Sequence, residues 1–161
     1  MKLIFTKENI IKGGLIYCIG DTIAALITND FSISRMIGIL LMGATIYAFE
    51  IPNYLAWLNN RNFGSSAKAN IIRMVLFSLY FNPLWIARHL LLLNIFSGDF
   101  QKINWSLMSI SLDSFIYSIP ISLAGNYVIQ NVIPFQHRFP STAIFSGFMA
   151  IYYALSETLF G

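Results

Sequence analysis

Charge is what this chain has least of. Only 11% of its 161 residues are Asp, Glu, Lys or Arg, whereas soluble domains average about 25%. That is too little charge to cover a water-facing surface. Its single cysteine, Cys18, excludes an intrachain disulfide and a multi-cysteine metal site. It sits in an apolar run as a small packing residue. The sequence holds no G-x-S-x-G, no H-E-x-x-H and no Gly-rich phosphate loop. His89 and His137 are far apart with no cysteine beside them, so neither an enzyme nor a cofactor or metal site is expected. The ten basic residues are scattered rather than clustered, which argues against nucleic acid as a partner. No run of residues divides the chain into domains.

What remains is 57% hydrophobic and falls into long apolar stretches. About 20 apolar residues suffice to cross a bilayer as a helix. The pattern predicts a single transmembrane domain over 1–161, all-α, a bundle of four to five spans at about 10–28, 36–58, 71–96, 103–125 and 141–159. The fifth is a span or a re-entrant segment. A cleaved signal peptide is the competing reading of the first stretch. The exit NDFSIS lacks an A-x-A-like site and Asp21 interrupts the apolar run, so a retained span is expected. Gly20, Ala24 and Thr28, and again Ser146, Ala150 and Ala154, form small-residue rows that let helices approach closely.

Orientation follows from Lys and Arg. Lys2, Lys7, Lys12, Arg61, Lys68, Arg73 and Arg138 fall on one side; Arg35 and Lys102 fall on the other. The N-terminus and the Asn59–Lys68 loop are therefore expected to face the cytoplasm or its equivalent. Whether the membrane is an organelle's inner membrane or a bacterial one is not distinguished.

Within the apolar stretches lie Asp21, Glu50, Arg88, His89 and Asp113. Ionisable residues at such depth are costly and usually face a bundle interior. From helix rise, Asp21 lies about 10 Å, Arg88 about 12 Å and Asp113 about 15 Å from the non-cytoplasmic ends of their spans, with Glu50 about 21 Å in. These residues are expected to form one midplane cluster, with Arg88 in salt-bridge reach of Asp21, Asp113 or Glu50. Three carboxylates facing one arginine predict that at least one holds a proton at neutral pH. Pro52, Pro83 and Pro120, each inside a span, free backbone carbonyls that can line a cavity. The expected function is a channel or transporter for a small polar solute, with proton coupling an option. The alternative is a non-transporting scaffold or complex subunit whose charges only specify packing. The partners are the lipid bilayer and the solute or proton; a homo-oligomer is an allowed assembly.

Several motifs carry a family resemblance. Gly20-Asp21 closes the first span, Arg35 and Gly43 open the second in an R-x7-G pattern, and Pro83 follows the basic Arg73. Ile133-Pro134-Phe135-Gln136-His137-Arg138 and the later Leu155-Ser156 complete the set. The chain thereby resembles the family of the 22 kDa peroxisomal membrane protein and its mitochondrial inner-membrane relatives over most of its length. Phe77-Ser78 stands where that family has D-Q. A weaker resemblance, through Asp21-Thr22-x-Ala24, Ser34-Arg35 and Phe81-x-Pro83-x-Trp85, is to the bacterial L-alanine exporter family. Both imply a small solute crossing a membrane, in the second case an alanine-like amino acid.

Overall fold

The computed structural model describes residues 3–61, 63–64 and 66–160, without the side chains of 150 and 153–160. Among them there is no strand. Helix α1 (Lys7–Ile27) is capped by Thr6, whose side chain accepts from the Asn9 amide. The next span is α2 (Ile33–Met42), a π-helical turn at Gly43–Tyr47, and α3 (Ala48–Asn59). Then come α4 (Ala67–Tyr80), α5 (Pro83–Ser97), α6 (Ser106–Asn131) and α7 (Phe135–Phe160). Among the described residues, four stretches are long and apolar enough to cross a membrane: Lys7–Ile27, Ile33–Asn59, Ala67–Ser97 and Ser106–Asn131. The molecule is a multi-pass integral membrane protein built as an all-α bundle.

The helices form a closed ring. Each span packs against its sequence neighbour, and α7 returns to pack along α1. On the first helix the sidedness is inverted relative to a soluble bundle. On α1 the exposed residues are Ile11, Leu15, Ile19, Ile23 and Leu26, while Gly13, Tyr17, Gly20, Asp21 and Ala24 are buried. Both sets recur at helical spacing on opposite faces. Large aliphatic side chains suit lipid, and the polar and small ones are turned inward. Gly20 shows how close the packing is: a Cβ there would sit 2.7 Å from the Cα of Gly147 on α7. The Gly20–Ala24 part of the first small-residue row thus lies at a helix contact. Of the second row, Ala150 and Ala154 lie outside the described side chains.

The third span is not the continuous helix with an internal proline that its length implied. Helix α4 stops at Tyr80, and Asn82 caps a new helix by accepting from the Trp85 amide at 3.1 Å. Pro83 occupies the first position of α5, where a missing N–H costs nothing. The helix then ends on Gly98 at φ 81°, a left-handed value that glycine adopts without strain. At the other end, α6 runs through Asn131, so the polar NYVIQN segment, which resembles a connection, is its last turns.

Candidate functional site

The five ionisable residues expected in one layer separate into distinct sites. Asp21, 2% exposed, is paired with Arg35, which was counted above as an interfacial charge. Arg35 Nη2 lies 2.7 Å from Asp21 Oδ1 and its Nε 2.9 Å from Oδ2, a bidentate pair. A third bond, 2.9 Å from Nη1, reaches Asp30 in the turn between α1 and α2. Arg35 itself is 5% exposed. Its burial has a simple geometric cause. Asp21 lies six residues before the end of α1 and Arg35 two after the start of α2, so the long arginine side chain reaches across the hairpin and inward to the carboxylate. A carboxylate and an arginine on either side of one short turn are a sequence signal which charge counting alone passes over.

Arg88 pairs with Glu50 instead, again bidentately, at 2.9 and 2.7 Å, and the Tyr80 hydroxyl donates to the same carboxylate at 3.0 Å. This pair is not enclosed. More than a third of the Arg88 side chain and a third of that of Glu50 are exposed, in a cleft of about 530 Å³ beside the α4–α5 break. Tyr54, Tyr80 and Trp85 wall the cleft. Arg88 thus has one of its expected partners but does not join Asp21.

Asp113, on α6, is half-exposed and has no ion-pair partner among the described residues, so it belongs to neither site. The imbalance of three carboxylates around one arginine, which argued that at least one of them holds a proton, is therefore not there. Asp21 and Glu50 each face a guanidinium of their own.

His89 is inside. It is 4% exposed, its Nδ1 lies 2.8 Å from the Tyr47 hydroxyl, and its ring stacks on Trp85. The π-helical turn places Tyr47 there. It absorbs an extra residue, turning the following segment of the helix relative to α2, and Tyr47 is fully buried at its end. The turn is accommodated by contact of Gly43 with Gly13 on α1, where no side chain fits between the helices.

Asp21 and His89 face the same small cavity of about 30 Å³ inside the ring. Tyr17 from α1, Ser122 and Asn126 from α6, and Ser146 from α7 complete its polar lining. Phe81, Trp85, Phe145 and Met149 close it. Asn126 is 2% exposed; its Nδ2 donates to Ser78 on α4 at 3.0 Å, while its Oδ1 has no partner among the described residues. Neither Asn126 nor Arg35 was among the residues expected to form the site. The first lay in a segment that resembles a loop, and the second next to one.

Chemically, the cavity offers hydroxyl, amide and imidazole groups around a carboxylate that is already neutralised. Among the described residues, no three His, Cys, Asp or Glu side chains converge as a metal site. Comparison with family models, curated proteins and solved structures finds no match to this chain.

Proposed function

We propose that this protein is a channel or transporter for a small polar solute, and that its path runs through the interior of the ring. The observation that carries this reading is the polar-lined cavity inside the ring. Polar groups from α1, α5, α6 and α7 converge on it, and one of them, Asn126 Oδ1, is buried without a partner. A buried polar atom in a membrane bundle is costly when unpaired, and a purely structural core gains nothing from it. The polar line also extends toward both ends. On one side Asp21, Arg35 and Asp30 lead to the α1–α2 turn. On the other, Asn126 is followed one turn later by the buried Gln130. The Glu50–Arg88 pair lies to one side and acts as a clamp between α3 and α5. The family resemblance through Gly20-Asp21 and Arg35 agrees, since the same residues form the pair that closes one end of the cavity. On this reading, the N-terminus and the Asn59–Lys68 loop face the cytoplasm or its equivalent.

The scaffold reading has its own support in the two bidentate ion pairs. Each joins two helices and balances charge without requiring a solute. Flux decides between the two. Purified protein in proteoliposomes is assayed with a panel of amino acids, small ions and small neutral solutes. The path reading expects at least one to move faster than in protein-free vesicles. No flux for the whole panel refutes it and leaves the scaffold.

A further inference from the structure

Ser111, Ser114, Ser118, Ser122, Asn126 and Gln130 recur along α6 every three or four positions and so share one face. From first to last they span about 28 Å of helix, close to the roughly 30 Å thickness of a bilayer's hydrocarbon core. All are buried except Ser122, which is half-buried against the cavity. The two ends of this face differ. Near the start of α6, Ser111 and Ser118 donate back to the Leu107 and Phe115 carbonyls of their own helix. They are satisfied and offer little to a visitor.

Toward the α6–α7 connection the pattern changes. Asn126 Oδ1 is unpartnered, and so are both amide atoms of Gln130, which is 0% exposed. On α7 the hydroxyl of Thr142, also 0% exposed and one turn before Ser146, has no partner among the described residues. Helices α6 and α7 are antiparallel neighbours, so Gln130 and Thr142 lie on the same side of the cavity, toward one end of the molecule. Three side chains thus present unused donors and acceptors in sequence.

The charges that line the cavity itself cancel; the half-buried Arg73 and Arg138, which make no ion pair among the described residues, lie beyond it at the α6–α7 end. Both Asp21 oxygens are held by Arg35, and His89 has the Tyr47 hydroxyl on Nδ1. Glu50, Arg88 and Asp113 are absent from the cavity lining. An ion in the cavity would shed its hydration without meeting an unpaired counter-charge there. A neutral molecule that donates and accepts hydrogen bonds would instead satisfy the idle amide and hydroxyl atoms. The cavity, about 30 Å³, has room for about two to three waters, since about 10–15 Å³ of such space holds one, which limits the solute to a few heavy atoms.

Building on the path proposed above, we infer that its solute is small and uncharged, of the class of urea or water, and that Asn126 and Gln130 bind it in transit by hydrogen bonding. The test uses the full chain in proteoliposomes. Urea permeation is followed by stopped-flow light scattering, with potassium and chloride flux and alanine uptake measured in parallel. Urea is expected to permeate several-fold faster than through protein-free vesicles, with no ion current and no alanine uptake. Asn126→Leu and Gln130→Leu, which keep volume but remove hydrogen bonding, should each abolish most of the gain, while Ser111→Ala should leave it intact. Should Asn126→Leu fail to fold, Asn126→Ser and Asn126→Asp replace it: the hydroxyl variant should retain urea flux and the carboxylate variant lose it. Ion or alanine flux with urea excluded overturns the inference and leaves the path standing. Urea flux insensitive to both α6 positions overturns the assignment of those residues. No flux of any solute ends the path reading, and this inference with it.

Discussion

The contact of Gly20 with Gly147 makes an asymmetric demand that can be measured. A Cβ added at Gly20 falls 2.7 Å from the Gly147 Cα and 3.4 Å from its carbonyl carbon and oxygen. Carbon atoms prefer about 3.5–4.0 Å, so α1 and α7 must part by about 1 Å for an alanine to fit. Backbone cannot rotate aside as a side chain can. Overpacking of this kind costs about 1–3 kcal/mol, and for a domain of this size each kcal/mol lowers the melting midpoint by roughly 2–4 °C. Gly20→Ala should therefore melt about 2–12 °C below the parent in a detergent thermal-shift assay. The reverse substitution behaves differently. A Cβ at Gly147 meets the Gly20 Cα at 3.6 Å and the Ile16 carbonyl at 3.9 Å, both ordinary contacts. Gly147→Ala should leave the midpoint unchanged or raise it, since alanine is the better helix former. Equal midpoints for Gly20→Ala and the parent would refute the close crossing. Equal losses from both variants would refute the geometry that separates them.

The two arginines should also differ. Arg35→Leu strands a carboxylate that is 2% exposed, an effect of about 3–5 kcal/mol for a buried pair. Arg88→Leu leaves a Glu50 that is a third exposed and keeps the Tyr80 hydroxyl, so its midpoint should fall less; the opposite order would show that the Asp21–Arg35 pair is not the enclosed one. Tyr47→Phe removes the hydroxyl from a buried imidazole and should cost about 1–3 kcal/mol, read as a drop in the same midpoint, with no change if His89 finds another partner. For topology, Ala67→Cys in a Cys18→Ser background should be labelled by an impermeant maleimide only from the cytoplasmic side, and labelling only from the opposite side would reverse the orientation.

The fold class was legible because composition and stretch length alone exclude other architectures for such a chain. The site was legible in part. Arg88 implied an acidic partner, and Glu50 is one. His89 and Asp21 were correctly singled out as interior, but for a cluster that depth alone could not define. Depth along a span says nothing of which way a side chain faces, and Asp113 shares the layer while its face turns elsewhere. Asn82-Pro83 spells a capping residue followed by a first-position proline, a helix start that the surrounding apolar run conceals. Asn126 and Gln130 were obscured for the opposite reason: polar residues near the end of an apolar stretch resemble a loop. Only their spacing with Ser118 and Ser122 shows that the helix continues past them.

A ring of five rods, namely α1, α2–α3, α4–α5, α6 and α7, that alternate in direction cannot alternate all the way round. One adjacent pair must run parallel, and it is α1 and α7. The Asn53 side chain bonds the backbone of Ile4 just before α1, and Arg138 near the start of α7 reaches Asn59 at the end of α3. The two helices therefore start at the same end of the molecule. No short loop can join a parallel pair, so this seam depends on side-by-side contact, with the helices close at Gly20 and Gly147. It is also the last join to form during synthesis, because α7 follows all its neighbours off the ribosome. Until it arrives, Tyr17, Asp21 and Asn126 line an open trough rather than a closed interior. Biogenesis of this protein thus has a vulnerable interval, during which its most polar surface faces the bilayer or whatever machinery shields it.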